Sequence, residues 1–212
     1  MRIAAWIGSI VVLSLWGCSS KTSGADLFAN DASTEGGINY NSDGGVPDSS
    51  IPKAPRSAIV VGIRTDLKVP GDLEAYRLEV SQNGITQFTG DFTVADHPLP
   101  TSLTICATDA LCNGVVNGDL SPGKIVALDA TAKLTVTLVG LVKNKATTIR
   151  IARTSLLADR VLALPLIMED ACRGQVDDKG AVVVSSCPAD QSCVSGACAS
   201  IDIDPSTLAD AP

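Results

Sequence analysis

The chain is poor in the residues from which most active sites are built. It has one histidine, His97, and aromatic residues make up only 3% of its 212 residues. It contains no Gly-x-Ser-x-Gly elbow, no phosphate-binding glycine loop and no His-Glu-x-x-His motif. A hydrolytic triad needs an imidazole base beside a nucleophile, but His97 lies in the run Asp96 to Pro100, where two prolines predict a rigid turn between strands. The sequence therefore favours a protein that is not an enzyme and that holds neither a cofactor nor a metal.

Positive charge is also scarce. Lysine and arginine total 16 against 23 aspartates and glutamates, which gives a net charge of −7. Removal of residues 1–17, which carry only Arg2 as a charged residue, makes this −8. So acidic a chain is repelled by nucleic-acid phosphates and by anionic membrane surfaces. We therefore expect no nucleic-acid partner and no basic patch holding the protein to a bilayer.

The N-terminal segment is apolar or small from Ile3 to Gly17. About 15 such residues match the length of a signal-peptide core, whereas a membrane-spanning helix needs about 20 apolar residues. The segment ends in Leu15-Trp-Gly-Cys18-Ser19. This run resembles a bacterial lipoprotein signal, in which the peptidase cuts before the cysteine and the thiol is acylated, for example with palmitate. The resemblance implies a signal peptide over 1–17, a lipid on Cys18 and, with Ser19 following, the outer membrane; an ordinary secretory signal is the alternative.

Residues 18–56 predict a tether. The stretch is dominated by serine, glycine, aspartate, asparagine and proline and has no apolar period. Such a composition buries too little surface to offset the entropy of ordering it. As a flexible coil it would span roughly 30–40 Å, enough to lift a folded domain clear of the lipid headgroups.

Residues 57–170 predict an all-β domain. Short β-rich runs follow one another, separated by turn signals such as Asn83-Gly84, which favours a type I′ hairpin. About seven strands over this length indicate an antiparallel β-sandwich of immunoglobulin-like type, although a small barrel or jelly roll would have a similar pattern. Tyr76 is predicted to face the core, as are Ile149 and Ile151. The expected strands cover residues 58–64, 74–80, 85–94, 133–138, 147–152 and 160–168, the last at an edge or a bulge because of Pro165.

Within this domain Cys106 and Cys112 are spaced to staple a strand end to the loop that follows it. The segment 113–123 is the longest irregular stretch of the domain. Loops carry binding surfaces more often than strands do. We therefore take residues 113–123, held out by the staple, as the first candidate for a binding surface.

A cysteine-rich module is predicted over residues 171–200. Its motif C-P-x-x-Q-x-C-x-x-G-x-C, from Cys187 to Cys198, is similar to the short tails of myxobacterial-type surface lipoproteins. The six cysteines after Cys18 form an even set, which in an exported chain indicates disulfides. A zinc site is the weaker interpretation, because the chain has no Cys-x-x-Cys pair. The predicted disulfide cysteines are Cys106, Cys112, Cys172, Cys187, Cys193 and Cys198.

Four cysteines in the module allow three pairings, and the sequence does not decide among them. We favour Cys172–Cys193 with Cys187–Cys198, because interleaved pairs make one compact unit. Residues 201–212 are acidic and predict a flexible, solvated tail. Asp202 and Asp204 supply two carboxylates there, far short of the oxygen shell of a calcium site.

These observations predict a lipid-anchored cell-envelope protein at the outer membrane. Its sandwich would be non-catalytic and would serve protein binding or a structural, adhesin-like role, with a protein partner at the envelope. The alternative is an envelope hydrolase or carbohydrate-binding protein with a carboxylate site, since its acids need not be neighbours in sequence. Sugar-binding sites, however, usually contain exposed aromatic rings that stack on the sugar. The folded part of the mature chain has only Tyr76, Phe88 and Phe92 as aromatic residues.

Overall fold

The computed structural model describes residues 56–178 and 183–211. The predicted signal peptide, Cys18 and all of the tether except Arg56 lie outside these residues. In the described part, no helix is long and apolar enough to span a membrane.

The described residues form twelve β-strands and three single helical turns. The helical turns cover Ala110–Cys112, Asp170–Cys172 and Pro205–Thr207. Eight strands belong to residues 57–170: β1 (Ala58–Thr65), β2 (Ala75–Gln82), β3 (Ile85–Thr93), β4 (Thr101–Cys106), β5 (Lys124–Val126), β6 (Leu134–Val142), β7 (Lys145–Thr154) and β8 (Val161–Met168). Four short strands follow: β9 (Val176–Asp178), β10 (Val183–Ser185), β11 (Gln191–Val194) and β12 (Ala197–Ser200).

Two four-stranded sheets confirm the predicted β-sandwich. The first sheet has the order β5-β4-β1-β8 and the second β3-β2-β6-β7. The second sheet is antiparallel throughout, whereas β1–β8 and β4–β5 in the first are parallel pairs. The first two strands share a sheet in a constant-type immunoglobulin domain, but here they lie in different sheets. The likeness to that fold is therefore one of two-layer architecture.

One hydrophobic core lies between the sheets. On β2 the alternation places Tyr76, Leu78 and Val80 inward, as predicted, and all three are fully buried. They pack against the inner residues of the first sheet and of β6. These include Ile59, Val61, Ile63, Leu103, Ile105, Leu134, Val136, Leu138, Leu162, Leu164 and Leu166.

Two hairpins of the second sheet have turns with left-handed backbone. Asn83 and Gly84 have φ of 53° and 76°, as the Asn-Gly signal predicts. Lys143 and Asn144 have φ of 50° and 61° and join β6 to β7. The local sequence therefore sets both hairpins.

The predicted inward orientation of Ile149 and Ile151 is wrong. On β7 it is Ala152 that belongs to the core between the sheets, and the two isoleucines lie on the outer face of the second sheet. Ile149 is nevertheless only 1% exposed. The apolar alternation does mark a buried face of β7, but it is the face that the cysteine-rich module covers, while the core between the sheets lies against the other face.

All six described cysteines form disulfides. The favoured pairing is confirmed, with Cys172 bonded to Cys193 and Cys187 to Cys198, each with Cα atoms 5.6 Å apart. Cys106 and Cys112 form the third. The module consists of two hairpins, β9–β10 and β11–β12, which contact β7.

The prediction of a frayed tail is wrong for residues 201–211. The Ile203 N–H donates to the Arg153 carbonyl at 2.8 Å, and the Arg153 N–H donates to the Ile201 carbonyl at 2.7 Å. Further on, the Ala211 N–H donates to the Val161 carbonyl at 2.8 Å. The segment thus runs from the edge of β7 in the second sheet to the edge of β8 in the first. Backbone pairing orders it despite its acidic composition.

Candidate functional site

Segment 113–123, the first candidate for a binding surface, packs along β4. The Leu120 N–H donates to the Ser102 carbonyl at 3.0 Å, and the Leu120 side chain is fully buried in the core. The hydroxyl of Thr104 donates to the carbonyl of Val116 at 2.8 Å. At Gly118 even a Cβ atom would come within 2.5 Å of the Leu103 Cα. The expectation that this loop is held out from the domain is therefore wrong.

The Cys106–Cys112 disulfide closes a small second cluster. It joins the end of β4 to a helical turn, with Cα atoms 5.6 Å apart. Around it Ala58, Val115 and, partly, Val161 pack together. The staple therefore covers one end of the first sheet.

His97 takes part in packing. Its ring meets Phe92 edge-on, with centroids 5.1 Å apart, and its carbonyl accepts the Tyr76 hydroxyl at 3.2 Å. Burial raises the pKa of Tyr76 to about 12. These contacts fix the turn after β3 to the core.

The two carboxylates considered for calcium are engaged by the protein itself. Asp202 accepts hydrogen bonds from Arg153 and from Lys133. Asp204 accepts from the N–H and the hydroxyl of Ser206. Residues 56–178 and 183–211 contain no group of three or more histidine, cysteine or acidic side chains arranged to hold a metal ion.

Two cavities lie on the outer face of the second sheet, beside the hairpin β9–β10. The first, of about 400 Å³, has aliphatic side chains from β6, β7 and β10 together with Arg77 and Glu79. The second, of about 340 Å³, lies at the end of β3 and shares Arg77 and Val183 with the first. Its other lining residues are Ala75, Asp91, Phe92, Thr93, Leu141, Asn144 and Asp178.

The acids of these cavities are hydrogen-bonded and accessible. Arg77 donates two hydrogen bonds to Asp91, at 2.6 and 3.1 Å, and this raises the pKa of Arg77. Glu79 accepts from the Thr86 hydroxyl, and Asp178 accepts from the Ala146 N–H. A general acid of a glycosidase depends on a pKa raised by burial or by a close carboxylate. Among the described residues that line the two cavities, no two acids form a buried pair of that kind.

The most distinctive surface is the free edge of β3. Each sheet has two outer strands, and three of the four are short or covered. β5 has only three residues. β7 is paired at Arg153 by Ile201 and Ile203 and is contacted by β9, β10 and β11. β8 is paired by Ala209 and Ala211. β3 spans nine residues and, among the described residues, pairs only with β2.

β3 carries few of the devices that discourage edge pairing. It contains no lysine, arginine or proline, and Asp91 is its one charged residue. A bulge at Gln87 interrupts its register with β2, and the Gln87 side chain accepts the Leu128 N–H at 3.0 Å. Residues 88–93 are left as a regular stretch. We call them the open edge.

Apolar side chains lie near the start of β3. Ile85 is 58% exposed and Leu128 is 68% exposed. Phe88 and Ile125 are partly buried against the core. The side of the sandwich between β3 and β5 thus presents apolar surface next to the open edge.

Sequence reasoning predicted β3 but not its importance. The run 85–94 and its hairpin turn are visible in the sequence, whereas the position of the strand at the edge depends on the order of strands that are distant in sequence.

Comparison with protein-family models, with curated proteins and with solved structures returned no match.

Proposed function

We propose that this protein is a lipid-anchored component of the bacterial cell envelope, held at the outer membrane through Cys18. Its β-sandwich is non-catalytic and binds a protein partner through the open edge, residues 88–93. The observation that carries the binding role is that, in the described part of the chain, β3 is a long outer strand that pairs with β2 alone, whereas the other outer strands are short or paired. Exposed edges take additional strands because their N–H and C=O groups are unpaired.

The disulfides support the anchor. The six cysteines from Cys106 to Cys198 pair among themselves. This leaves Cys18 as the seventh cysteine of the chain, with no cysteine partner within it. Disulfides form and persist in oxidising compartments, so the pairing agrees with an exported protein whose remaining cysteine carries lipid.

Metabolic labelling tests the anchor. Cells supplied with labelled palmitate should label the wild-type protein and not Cys18→Ala. The double variant Cys106→Ala/Cys112→Ala is the matched control, because it also lacks cysteines and should keep the label. Equal labelling of wild type and Cys18→Ala, or membrane retention of an unlabelled protein, would show that the anchor is not a lipid on Cys18.

Site-specific photocrosslinking tests the binding surface in intact cells. A crosslinking residue at Thr89 on the open edge should capture a discrete partner. The same residue at Ala158, which is exposed in the turn before β8, is the control and should capture none. Equal capture at both positions would rule out the open edge as the contact surface.

The non-catalytic assignment has its own test. His97→Ala should leave partner capture at Thr89 unchanged, because the imidazole packs against Phe92 and serves no reaction. A hydrolase activity of the purified protein that disappears with His97→Ala, or with Glu79→Gln, would instead support the alternative of an envelope enzyme.

A further inference from the structure

The outward-facing backbone groups of the open edge belong to its odd-numbered residues. The Val94 N–H donates to the Glu74 carbonyl next to β2. In an antiparallel pair, successive residues direct their N–H and C=O groups to opposite sides of the strand. Because the register with β2 is regular over residues 88–93, the even-numbered residues pair with β2. Thr89 and Asp91 therefore direct both backbone groups away from the sheet.

Neighbouring segments limit the open edge at both ends. The Thr93 carbonyl, which also faces outward, accepts the His97 N–H at 2.9 Å. At the other end, the Gln87 side chain accepts the Leu128 N–H at 3.0 Å. The accessible stretch between these contacts is short. Gly90 lies at its centre, with one outward-facing residue on either side.

The side chains of this stretch are also arranged evenly about Gly90. Phe88 and Phe92 flank it on the inner face of the sheet, and their ring centroids are 6.5 Å apart. The rings lie so close over Gly90 that a Cβ there would come within 2.5 Å of the Phe92 ring. On the outer face Thr89 and Asp91 flank it. Each face therefore has the same kind of side chain before and after the centre: aromatic on the inner face, hydrogen-bonding on the outer.

An antiparallel pairing of two copies about a two-fold axis at Gly90 would match this arrangement. Thr89 of one copy would lie opposite Asp91 of the other, twice, as hydrogen-bonded pairs that exchange four backbone bonds. Each Thr89 hydroxyl would face a carboxylate that accepts hydrogen bonds. On the inner face Phe88 of one copy would lie opposite Phe92 of the other. Aromatic cross-strand pairs of this kind stabilise sheets.

Charge favours this register over its neighbours. Asp91 is the one charged residue of β3, and Arg77 balances it in an ion pair. A pairing centred on Asp91 would set two carboxylates opposite each other, which is unfavourable. A pairing centred on Thr89 would set Asp91 opposite the bulge at Gln87. The net charge of −7 on each copy is screened beyond about 8 Å at physiological ionic strength.

We propose that the partner bound by the open edge is a second copy of this chain. The two edges pair antiparallel about a two-fold axis at Gly90 and join two four-stranded sheets into one of eight strands. Because both copies use the same surface, the assembly closes at two. This inference rests on the proposed protein-binding function and identifies its partner.

Paired cysteine substitutions test the register in intact cells. Opposite residues of a hydrogen-bonded pair have Cα atoms about 5.5 Å apart, which is within disulfide range. Co-expressed Thr89→Cys and Asp91→Cys chains should therefore give a disulfide-linked dimer under mild oxidation. Either variant alone should give at least about tenfold less, because its two cysteines would be offset by about 6.8 Å along the strands and lie out of range. Ala158→Cys, in the exposed turn before β8, is the control and should give none.

Analytical ultracentrifugation of the full-length chain in detergent measures the association itself. The wild type should form a concentration-dependent dimer. Thr89→Asp would set a carboxylate opposite Asp91 in both pairs and should weaken the dimer about three- to tenfold. Ala158→Asp adds the same charge away from the edge and should leave the dissociation constant unchanged. Unchanged thermal unfolding of both variants shows that the fold is intact.

Three results would overturn the inference. The first is a wild-type chain that stays monomeric at every concentration at which it is soluble. The second is crosslinking of Thr89→Cys alone that equals the mixed pair, which would show another register or random collision. The third is equal weakening by both aspartate variants, which would show general charge repulsion.

Photocrosslinking at Thr89 separates this inference from the proposed function. A product of twice the mass of the chain supports both. A product of any other mass leaves the proposed function standing and contradicts this inference alone. No product at Thr89 contradicts both.

Discussion

Arg153 on β7 and Asp202 in the C-terminal segment are joined through both side chain and backbone. Arg153 donates to the Asp202 carboxylate from Nε at 2.9 Å and from Nη2 at 2.6 Å, and the two residues also form a parallel β-bridge. Lys133 donates to the same carboxylate at 2.8 Å. The segment after the last disulfide therefore covers the edge of the second sheet that β7 forms.

Acid should release this segment. The hydrogen bonds from Arg153 and Lys133 hold the pKa of Asp202 well below its usual value. A depressed pKa in the folded state contributes stability above the unfolded value of about 3.9, and that contribution is lost as the pH falls below it. Between pH 5 and pH 2 we expect the protection factors of the Ile203 and Arg153 amides, taken relative to the intrinsic exchange rate at each pH, to fall in wild type.

Asp202→Asn should show those lower protection factors already at pH 7, with little further change in them on acidification. Asp109→Asn serves as the control, because Asp109 makes no side-chain capping bond in its helical turn. A protection factor at Ile203 that is independent of pH in wild type would contradict the role assigned to Asp202.

Gly118 should tolerate no side chain. A Cβ there would approach the Ser102 carbonyl oxygen and the Leu103 Cα, both at 2.5 Å, and both are backbone atoms that do not move aside cheaply. Gly118→Ala should therefore lower the free energy of unfolding by about 1–3 kcal/mol.

Gly71→Ala is the matched control, because a Cβ at Gly71 meets nothing within 4 Å. It should change the free energy of unfolding by less than about 0.5 kcal/mol. Denaturant titration measures both variants. Equal stability of the two would show that segment 113–123 does not pack on β4 as described.

Alkali should destabilise the core through Tyr76. Burial raises its pKa to about 12, against about 10 in an unfolded chain. The contribution of Tyr76 to stability is complete below pH 10 and is lost as the pH rises towards 12, because the unfolded state loses its proton first.

Absorbance titration in a Tyr40→Phe background, where Tyr76 is the remaining tyrosine, should show ionisation near pH 12 or together with unfolding. Tyr76→Phe should lose less stability than wild type between pH 10 and 12. A phenol that titrates near pH 10 in the folded protein would refute the assigned burial.

The cysteine-rich module should depend on its disulfides more than the sandwich does. In the chain-entropy model the 21-residue separation of Cys172 and Cys193 contributes about 3 kcal/mol, and the 6-residue separation of Cys106 and Cys112 about 2 kcal/mol. The sandwich, unlike the module, is also stabilised by a hydrophobic core of its own.

Mild reduction should therefore expose residues 171–200 to protease while the sandwich stays intact. Alkylation of the native mature protein without reductant should label none of the six cysteines. Cleavage of the sandwich before the module, read by mass spectrometry of the fragments, would reverse this order.

Much of the architecture was available from the sequence because it depends on neighbouring residues. The alternation of Tyr76, Leu78 and Val80 predicts an inward face, and Asn83-Gly84 predicts a hairpin, since both signals act within a few residues. For the four cysteines of the module the sequence left three pairings open, and the structure confirms the favoured one. Cys18 and its lipid remain a prediction from the N-terminal run alone.

Tertiary structure decided which surfaces are open. Ile149 and Ile151 follow an apolar alternation on β7. Because the core buries one face of β7 and the module buries the other, the sequence alone does not tell which face points to the core. Asp202 belongs to an acidic, proline-containing segment whose composition predicts a solvated tail, and only the fold brings Arg153 opposite it.

The edge of β3 is the clearest case. Its nine residues determine a strand, whereas its exposure depends on where residues 201–211 pair, more than 100 positions further along the chain. Local sequence sets backbone preference and side-chain alternation through contacts a few residues apart. Which edge stays unpaired follows from competition among distant segments for the same hydrogen-bonding groups, and only the folded chain resolves that competition.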